Sequence, residues 1–434
     1  AILRGHMAFA NPFRSDTKLF AGWVVVLAAA LSVFAQVAFF NPVLGVFIPE
    51  FEKEFGWSRT EISLGATFGT FGAAAIAPFF GPMIDRYGGR RFVVGGGVVM
   101  AVGLVCLANM QTEWQFFAIY GVGRAMATGL LNVAATVTVS KWFVRKRGLA
   151  VGMTTIGTRA GFALMPVLVQ LIIDGSDWRV AAYTLAAIVA VFGTVPSILW
   201  LRKQPEDFGL LPDGDVVDPR QATAHRANIE HNWTRQQAMR TQAFWLLTIA
   251  ISLQTFAGGA VNLHQIPYMV DRGISQGDAA LVLSLFAVFS GIGGLVESFF
   301  DHTIGARVTF MIGLAGSAGG MVILMFTSTF EMGVVFAAFY GLSFGLMITS
   351  QQVVFADYYG RASLGAIRGA SLPLFMVLQA FGPIVGGAFY DTTGSYEGAF
   401  ILFACGYLVA AFLLSLAKRP QVPAAVPATP VAVS

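Results

Sequence analysis

Cysteine is nearly absent from this chain, and charge is scarce. Cys106 and Cys405 are the only two thiols in 434 residues; they lie far apart inside apolar segments and carry no disulfide or metal-site signal, although a fold can still bring them together. Charged residues make up only 12% of the sequence, unusually few for a soluble protein of this length. No glycine-rich phosphate loop follows a strand, no His/Cys/Asp group has recognisable ligand spacing, and no Ser-His-Asp arrangement stands out. Primary ATP-driven transport would therefore need another subunit. The case for an enzyme is lowered but not eliminated, since such groups can converge in space. We expect no catalytic activity, no cofactor and no metal.

Apolar length takes the place of charge. Hydrophobic residues make up 56% of the chain and the mean hydropathy is +0.70. Runs of roughly 20 apolar residues recur, each able to cross a hydrocarbon core about 30 Å thick. They predict twelve membrane helices over residues 21–48, 62–83, 92–110, 114–139, 148–173, 179–201, 241–268, 278–300, 308–328, 331–354, 364–389 and 396–417. The 49 glycines are dispersed through these spans, as at Gly95 to Gly97 and Gly382 to Gly387, where small residues let helices approach closely. Ala1 to His6, ahead of Met7, reads as added sequence. The first apolar segment has no obvious small-residue cleavage site and is expected to be a retained span rather than a signal peptide.

The polar stretch from Arg202 to Arg240 divides the helices into two sets of six, with Pro205, Pro212 and Pro219 marking a linker. The expected organisation is an N-terminus over 1–20, a six-helix bundle over 21–201, a linker over 202–240, a second bundle over 241–417 and a tail over 418–434. Short echoes relate the halves. Trp23 and Trp245 stand early in helices 1 and 7, Gly56-Trp57-Ser58 faces Gly273-Ile274-Ser275, and residues 81–91 have a degenerate partner in 301–307. Two related halves suit a central pathway at their interface.

Basic residues crowd alternate loops: Arg14 and Lys18, Asp85-Arg86 with Arg90-Arg91, and Lys141 to Arg147. The other loops hold mainly acids, among them Glu50, Glu52, Glu54, Glu61, Asp271 and Asp391. The positive-inside rule then places both termini in the cytoplasm of a multi-pass plasma-membrane protein, which is the inner membrane in a Gram-negative source. The net charge of +4 belongs to this asymmetry, which fixes topology and touches anionic lipid rather than nucleic acid.

Arg124 and Arg159 stand out by depth. Arg124 is about 15 Å along helix 4 from Trp114, and Arg159 about 17 Å into helix 5 from Gly148. A guanidinium keeps its charge at any accessible pH, so at the bilayer midplane it needs a carboxylate, carbonyls, water or an anionic ligand. Substrate contact and a permanent structural pairing are both open at each. No obvious carboxylate lies at their depth. Glu297, about 28 Å down helix 8, is a candidate for an inner-gate pair or a proton site and equally for a loop-paired acid. His264, Gln36, Asn41, Tyr120, Gln254 and Gln379 are candidate polar lining for substrate, while interhelical hydrogen bonding uses the same residue types. Asp85, Arg86 and Arg368 are candidate gating or coupling residues.

The stretch from Gly81 to Arg91 is similar to the G-x-x-x-D-R-x-G-R-R loop of the major facilitator superfamily, with Gly89 inserted. Phe55-Gly56-Trp57-Ser58-Arg59, Lys141-Trp142-Phe143 with Arg147-Gly148-Leu149-Ala150, Asp177-Trp178-Arg179, His264 to Tyr268 and Gly394-Ser395-Tyr396 resemble its monocarboxylate-transporter and oxalate/formate-exchanger branch. The resemblance implies an all-α carrier of small organic anions that works by alternating access, with proton symport or by exchange. It also marks departures. The branch places an arginine in helix 8 where this chain has Gly293-Gly294-Leu295-Val296-Glu297, and its oxalate carriers place a lysine in helix 11 where the basic residue here is Arg368, which argues against oxalate. The expected function is monocarboxylate transport with proton symport by a monomer. Carboxylate antiport without proton coupling, or a receptor or scaffold that retains the carrier fold, are the alternatives.

Overall fold

The computed structural model describes residues 20–143, 146–208, 210, 213, 233–359 and 364–420. They form an all-α protein of long helices. In the first half these are α1 (Gly22–Phe55), α2 (Arg59–Tyr87), α3 (Gly89–Ala108), α4 (Glu113–Trp142), α5 (Arg147–Gly175) and α6 (Trp178–Trp200). In the second they are α7 (Gln242–Asp271), α8 (Gln276–Ile304), α9 (Ala306–Phe326), α10 (Phe330–Tyr359), α11 (Leu364–Thr393) and α12 (Glu397–Leu416). Among the described residues, 11 helices are long and apolar enough to cross a membrane; α2 is long enough but is not in that set. The expected segments and the helices coincide closely, and most helices run a few residues further because polar end residues still continue the helical hydrogen bonding.

Local chemistry sets the ends. Ser58 and Thr112 begin α2 and α4 with reciprocal capping boxes, closed by Glu61 and Gln115, which satisfies amides that a helix start leaves open. The turns between α2 and α3 and between α8 and α9 each centre on one glycine, Gly88 (φ 85°, ψ 144°) and Gly305 (φ 82°, ψ 149°). Only glycine adopts that region without strain. Its recurrence at equivalent places is the backbone form of the pseudo-symmetry between the two six-helix bundles.

Three helices are locally rewound. α1 passes through a 3-10 turn at Gln36–Phe39 before Phe40 becomes extended, α4 carries a π turn at Met126–Leu131, and α6 carries one at Val189–Thr194. Within the first half α2 packs on α4, α1 on α5 and α3 on α6; in the second, α10 packs on α8 and α9, α7 on α11, and α9 on α12. The halves meet through α2 with α11, α1 with α7 and α5 with α8.

The two ends of the molecule differ. One, the acidic end, gathers Glu52, Glu54, Asp271 and Asp391; the other carries Arg86 and the described linker residues Lys203 and Trp233. Hydrogen bonds joining the halves run from the acidic end to mid-depth. They include Asn41 Nδ2 to the Gly259 carbonyl (2.9 Å), Thr67 Oγ1 to the Ala380 carbonyl (2.8 Å), Gln170 Nε2 to Gln276 (3.1 Å) and Arg159 to Ser290 (3.1 Å). Glycines allow the closest approach: a Cβ on Gly45 would lie 2.7 Å from the Leu263 carbonyl, and one on Gly387 would lie 2.8 Å from the Thr60 nitrogen. At the linker end the Trp233 N–H donates to the Tyr359 carbonyl, and Lys203 donates to the Arg86 carbonyl at 3.2 Å.

Candidate functional site

Arg124 is held where α1 breaks. Pro42 has no N–H to give back to the 3-10 turn, and the Val43 amide bonds to Phe40 rather than Phe39. The Phe39 carbonyl is thereby left for side chains. It accepts from Arg124 Nη1 at 3.2 Å and from the Tyr120 hydroxyl at 3.0 Å, while Arg124 Nε donates to Thr70 Oγ1 at 3.2 Å. Gly69 makes room on α2, since a Cβ there would sit 2.5 Å from the Cβ of Arg124. Arg124 as a whole is 7% exposed. Among the described residues its Nη2 has no hydrogen-bond partner.

Arg159 reaches across from α5 to α8. It is half-buried, and among the described residues its one hydrogen bond runs from Nη1 to Ser290 Oγ at 3.1 Å. Gly291 and Gly294 leave the space it occupies; a Cβ at Gly294 would lie 3.5 Å from Nη2. Nε and Nη2 have no acceptor among the described residues. Among the described residues neither Arg124 nor Arg159 forms an ion pair. The two are linked by rings: Arg124 lies 5.9 Å from the Phe40 ring, and Phe40 is 5.7 Å from Phe162, one turn from Arg159. Both cations keep N–H donors without a partner among the described residues, and Phe40 and Phe162 form an aromatic wall beside Arg124. Glu297, one turn beyond Gly294, is buried at 2% exposure.

The other expected site residues separate into groups. Tyr120 belongs with Arg124. Gln36 is fully buried in the 3-10 turn with both amide atoms unpartnered, and Gln254 is buried in α7 with its oxygen unpartnered. Asn41 ties α1 to α7. Gln379 is half-buried in α11, where a Cβ on Gly259 would lie 3.5 Å from its Cγ. Arg368 is half-buried one turn into α11. Arg86 is exposed and its guanidinium lies 5.3 Å from the Tyr87 ring; the Asp85 side chain lies outside the described residues. His264 is fully buried nearer the acidic end, with both ring nitrogens against protein partners.

The sequence reading passed over the densest polar cluster. Arg59, 4% exposed, donates from Nε and Nη2 to Glu52 at 2.7 and 3.1 Å and from Nη1 and Nη2 to Asp271 at 2.6 and 2.9 Å. Its guanidinium lies 3.7 Å from the Tyr390 ring centre, and Nη1 also meets the Tyr396 hydroxyl at 3.1 Å. Asp391 accepts the Arg59 and Thr60 amides at 3.3 and 3.0 Å, so a carboxylate of α11 caps the N-terminus of α2 across the interface. One available signal was an arginine alone among acids, directly after a helix cap.

Among the described residues no group of three or more His, Cys, Asp or Glu is placed to hold a metal. Monocarboxylate transporter 12 of Rattus norvegicus is 23% identical over 427 residues, covering 93% of this chain and 87% of that protein. Monocarboxylate transporter 11 of Mus musculus is 25% identical over 407 residues, covering 90% and 86%. The fujikurins efflux protein of Gibberella fujikuroi is 26% identical over 201 residues, 46% of this chain and 43% of that one. A crystal structure of a mutant of the nucleoside transporter NupG superposes with a TM-score of 0.71 at 15% identity, covering 92% of this chain and 99% of that one, which is a likeness of fold. The Major Facilitator Superfamily profile matches residues 23–300 and 255–432, which together take in nearly the whole sequence, and the chain belongs to that family.

Proposed function

We propose that this protein is a secondary transporter of a small organic anion, a monocarboxylate, working by alternating access with proton symport. Fold and family are those of a transporter and not of an enzyme. The observation that carries the anion is the pair of guanidinium groups at mid-depth, neither matched by a carboxylate among the described residues and both with donors that have no partner there. An arginine at that depth costs about 2.5–3.5 kcal/mol on insertion scales, and an anionic ligand offsets that cost with charge-assisted hydrogen bonds. The aromatic wall of Phe40 and Phe162 suits a compact organic tail.

With the linker in the cytoplasm, the acidic end is the outer gate and the described conformation is closed to the outside. Substrate then binds between the halves, with Arg124 and Tyr120 on one side and Arg159 and Ser290 on the other. Glu297, Asp85, Arg86 and Arg368 are assigned to coupling and to the inner loops. The monocarboxylate transporters among the relatives favour this substrate class. Proteoliposomes loaded by labelled monocarboxylates, dicarboxylates and neutral amides under imposed pH and voltage gradients test the reading. Saturable, pH-driven monocarboxylate uptake is expected. Equal uptake of neutral analogues would sink the charge argument, exchange without pH dependence would replace symport by antiport, and binding without translocation would favour a receptor.

A further inference from the structure

His264 joins the outer gate by a hydrogen-bond chain with one possible direction. Its Nε2 lies 2.8 Å from the Pro383 carbonyl; a carbonyl only accepts, so bonding assigns the ring hydrogen to Nε2. Nδ1, 3.0 Å from the Tyr396 hydroxyl, is then the acceptor, and Tyr396 donates its single hydrogen to it. The Tyr396 oxygen accepts in turn from Arg59 Nη1 at 3.1 Å. Ser63 Oγ lies 3.4 Å from Nε2 and gives its own hydrogen to the Arg59 carbonyl. Every step from Arg59 through Tyr396 and His264 to Pro383 is buried, and it ties α2, α7, α11 and the start of α12 together.

This chain admits one protonation state of the ring. A proton added to Nδ1 meets the hydrogen that Tyr396 already points at it. If Tyr396 turns away, its oxygen faces two cationic donors, and its own hydrogen loses its buried acceptor. The groups around the ring are Arg59 and Ser63 from α2, Tyr390 and Asp391 from α11, Tyr396 before α12, Asp271 from α7 itself and Glu52 from α1. Two carboxylates thus hold the Arg59 guanidinium, and a third caps the helix that carries it. In the closed arrangement Glu52 and Asp271 hold Arg59 and Asp391 caps α2. Once the halves part, an imidazolium gains acids to pair with and water to donate to.

We propose that His264 is the proton site of the outer gate: neutral, it completes the closed clasp, and protonated, it releases Arg59 through Tyr396 and opens the acidic end. The proton comes from hydronium on the side that the acidic end faces, an O–H bond breaking as the Nδ1–H bond forms and leaving water; when the gate closes it passes back to water there or to water on the inner side, the Nδ1–H bond breaking as a new O–H bond forms. The inference rests on the alternating-access reading but not on the identity of the anion.

The test uses the full chain in lipid nanodiscs without substrate, with Cys106→Ser and Cys405→Ser removing the native thiols and spin labels at Lys53→Cys and Thr392→Cys across the acidic end. The long-distance population is expected to rise at least fivefold between pH 8 and pH 5.5. His264→Gln, whose amide can donate to Pro383 and accept from Tyr396 but does not titrate, should stay closed and flat with pH. Tyr396→Phe should shrink the pH step. Nitrogen-15 histidine spectra of the wild-type chain provide a readout that needs no His264 variant: His264 should be the Nε2–H form when closed and imidazolium in the open population. A wild-type pH step retained by His264→Gln, no step at all, or an imidazolium in the closed form would each overturn the proposal. Flat distances with intact anion transport defeat this proposal alone, whereas a pH step without anion transport defeats the substrate assignment alone.

Discussion

Arg59 holds two carboxylates that look alike in the closed conformation but should differ in what they control. Glu52 is on α1, in the same half as Arg59, and keeps its partner when the halves rock; Asp271 is on α7, in the other half, and loses it. Both partners are partly exposed, Glu52 at 27% and Asp271 at 29%, against 4% for Arg59. Truncating one partner of a buried, hydrogen-bonded charge pair costs about 2–5 kcal/mol. The exposure of the carboxylate and the oxygen that Asn retains reduce this to about 1.5–2.5 kcal/mol for Asp271→Asn. At about 1.4 kcal/mol per factor of ten, the ratio of open to closed acidic end should rise roughly 10- to 70-fold. Glu52→Gln should lower thermal stability in both conformations and shift the ratio less than about threefold. Spin-label distances across the acidic end, or thiol labelling of cysteines placed beneath it, give the ratio. Equal shifts from the two variants, or a loss of stability in Asp271→Asn without any shift, would refute the assignment of this contact to gating.

Glycine positions provide a steric counterpart. Gly387→Ala puts a methyl 2.8 Å from the Thr60 nitrogen across the interface, so about 1–3 kcal/mol of overpacking should appear as opening of the acidic end. Gly345→Ala meets the Ser290 carbonyl inside the second half at 2.1 Å, and should appear as lower thermal stability with an unchanged distance distribution. Arg159→Gln is expected to reduce anion uptake per unit concentration by about 10- to 150-fold, the value of charge-assisted hydrogen bonds worth about 1.5–3 kcal/mol, with folding retained; wild-type uptake would remove Arg159 from the site. Arg124→Gln should show a similar transport loss and also a lower melting temperature, because the Phe39 carbonyl loses a donor; a stable variant would show that the α1 break does not need it. Arg272→Ala should change stability by less than about 0.5 kcal/mol, since its bond to Glu397 joins side chains 37% and 53% exposed; a larger loss would mean that this pair is more than a surface contact.

Much of the architecture was legible in the chain because a bilayer enforces it locally. A helix that must satisfy its own backbone and span the hydrocarbon shows itself as an apolar run of the right length, whatever lies beside it. The glycines at 88 and 305 sit in the paired loops where sequence echoes suggested related halves. Arg124 and Arg159 were conspicuous for the same reason, since charge at that depth calls for a partner.

The partners themselves were not legible. Arg59 is 212 residues from Asp271 and more than 330 from Asp391 and Tyr396, so no window of sequence contains the clasp. For His264 the sequence left substrate lining and interhelical bonding both open, because its ring partners, Pro383 and Tyr396, lie more than 100 residues away. Hydropathy and helix rise determine how deep a residue lies from its own segment alone. Which face it turns, and whether its neighbour is a carboxylate, a carbonyl or an open cavity, depends on how separate helices pack, and that was decided only when the two halves came together.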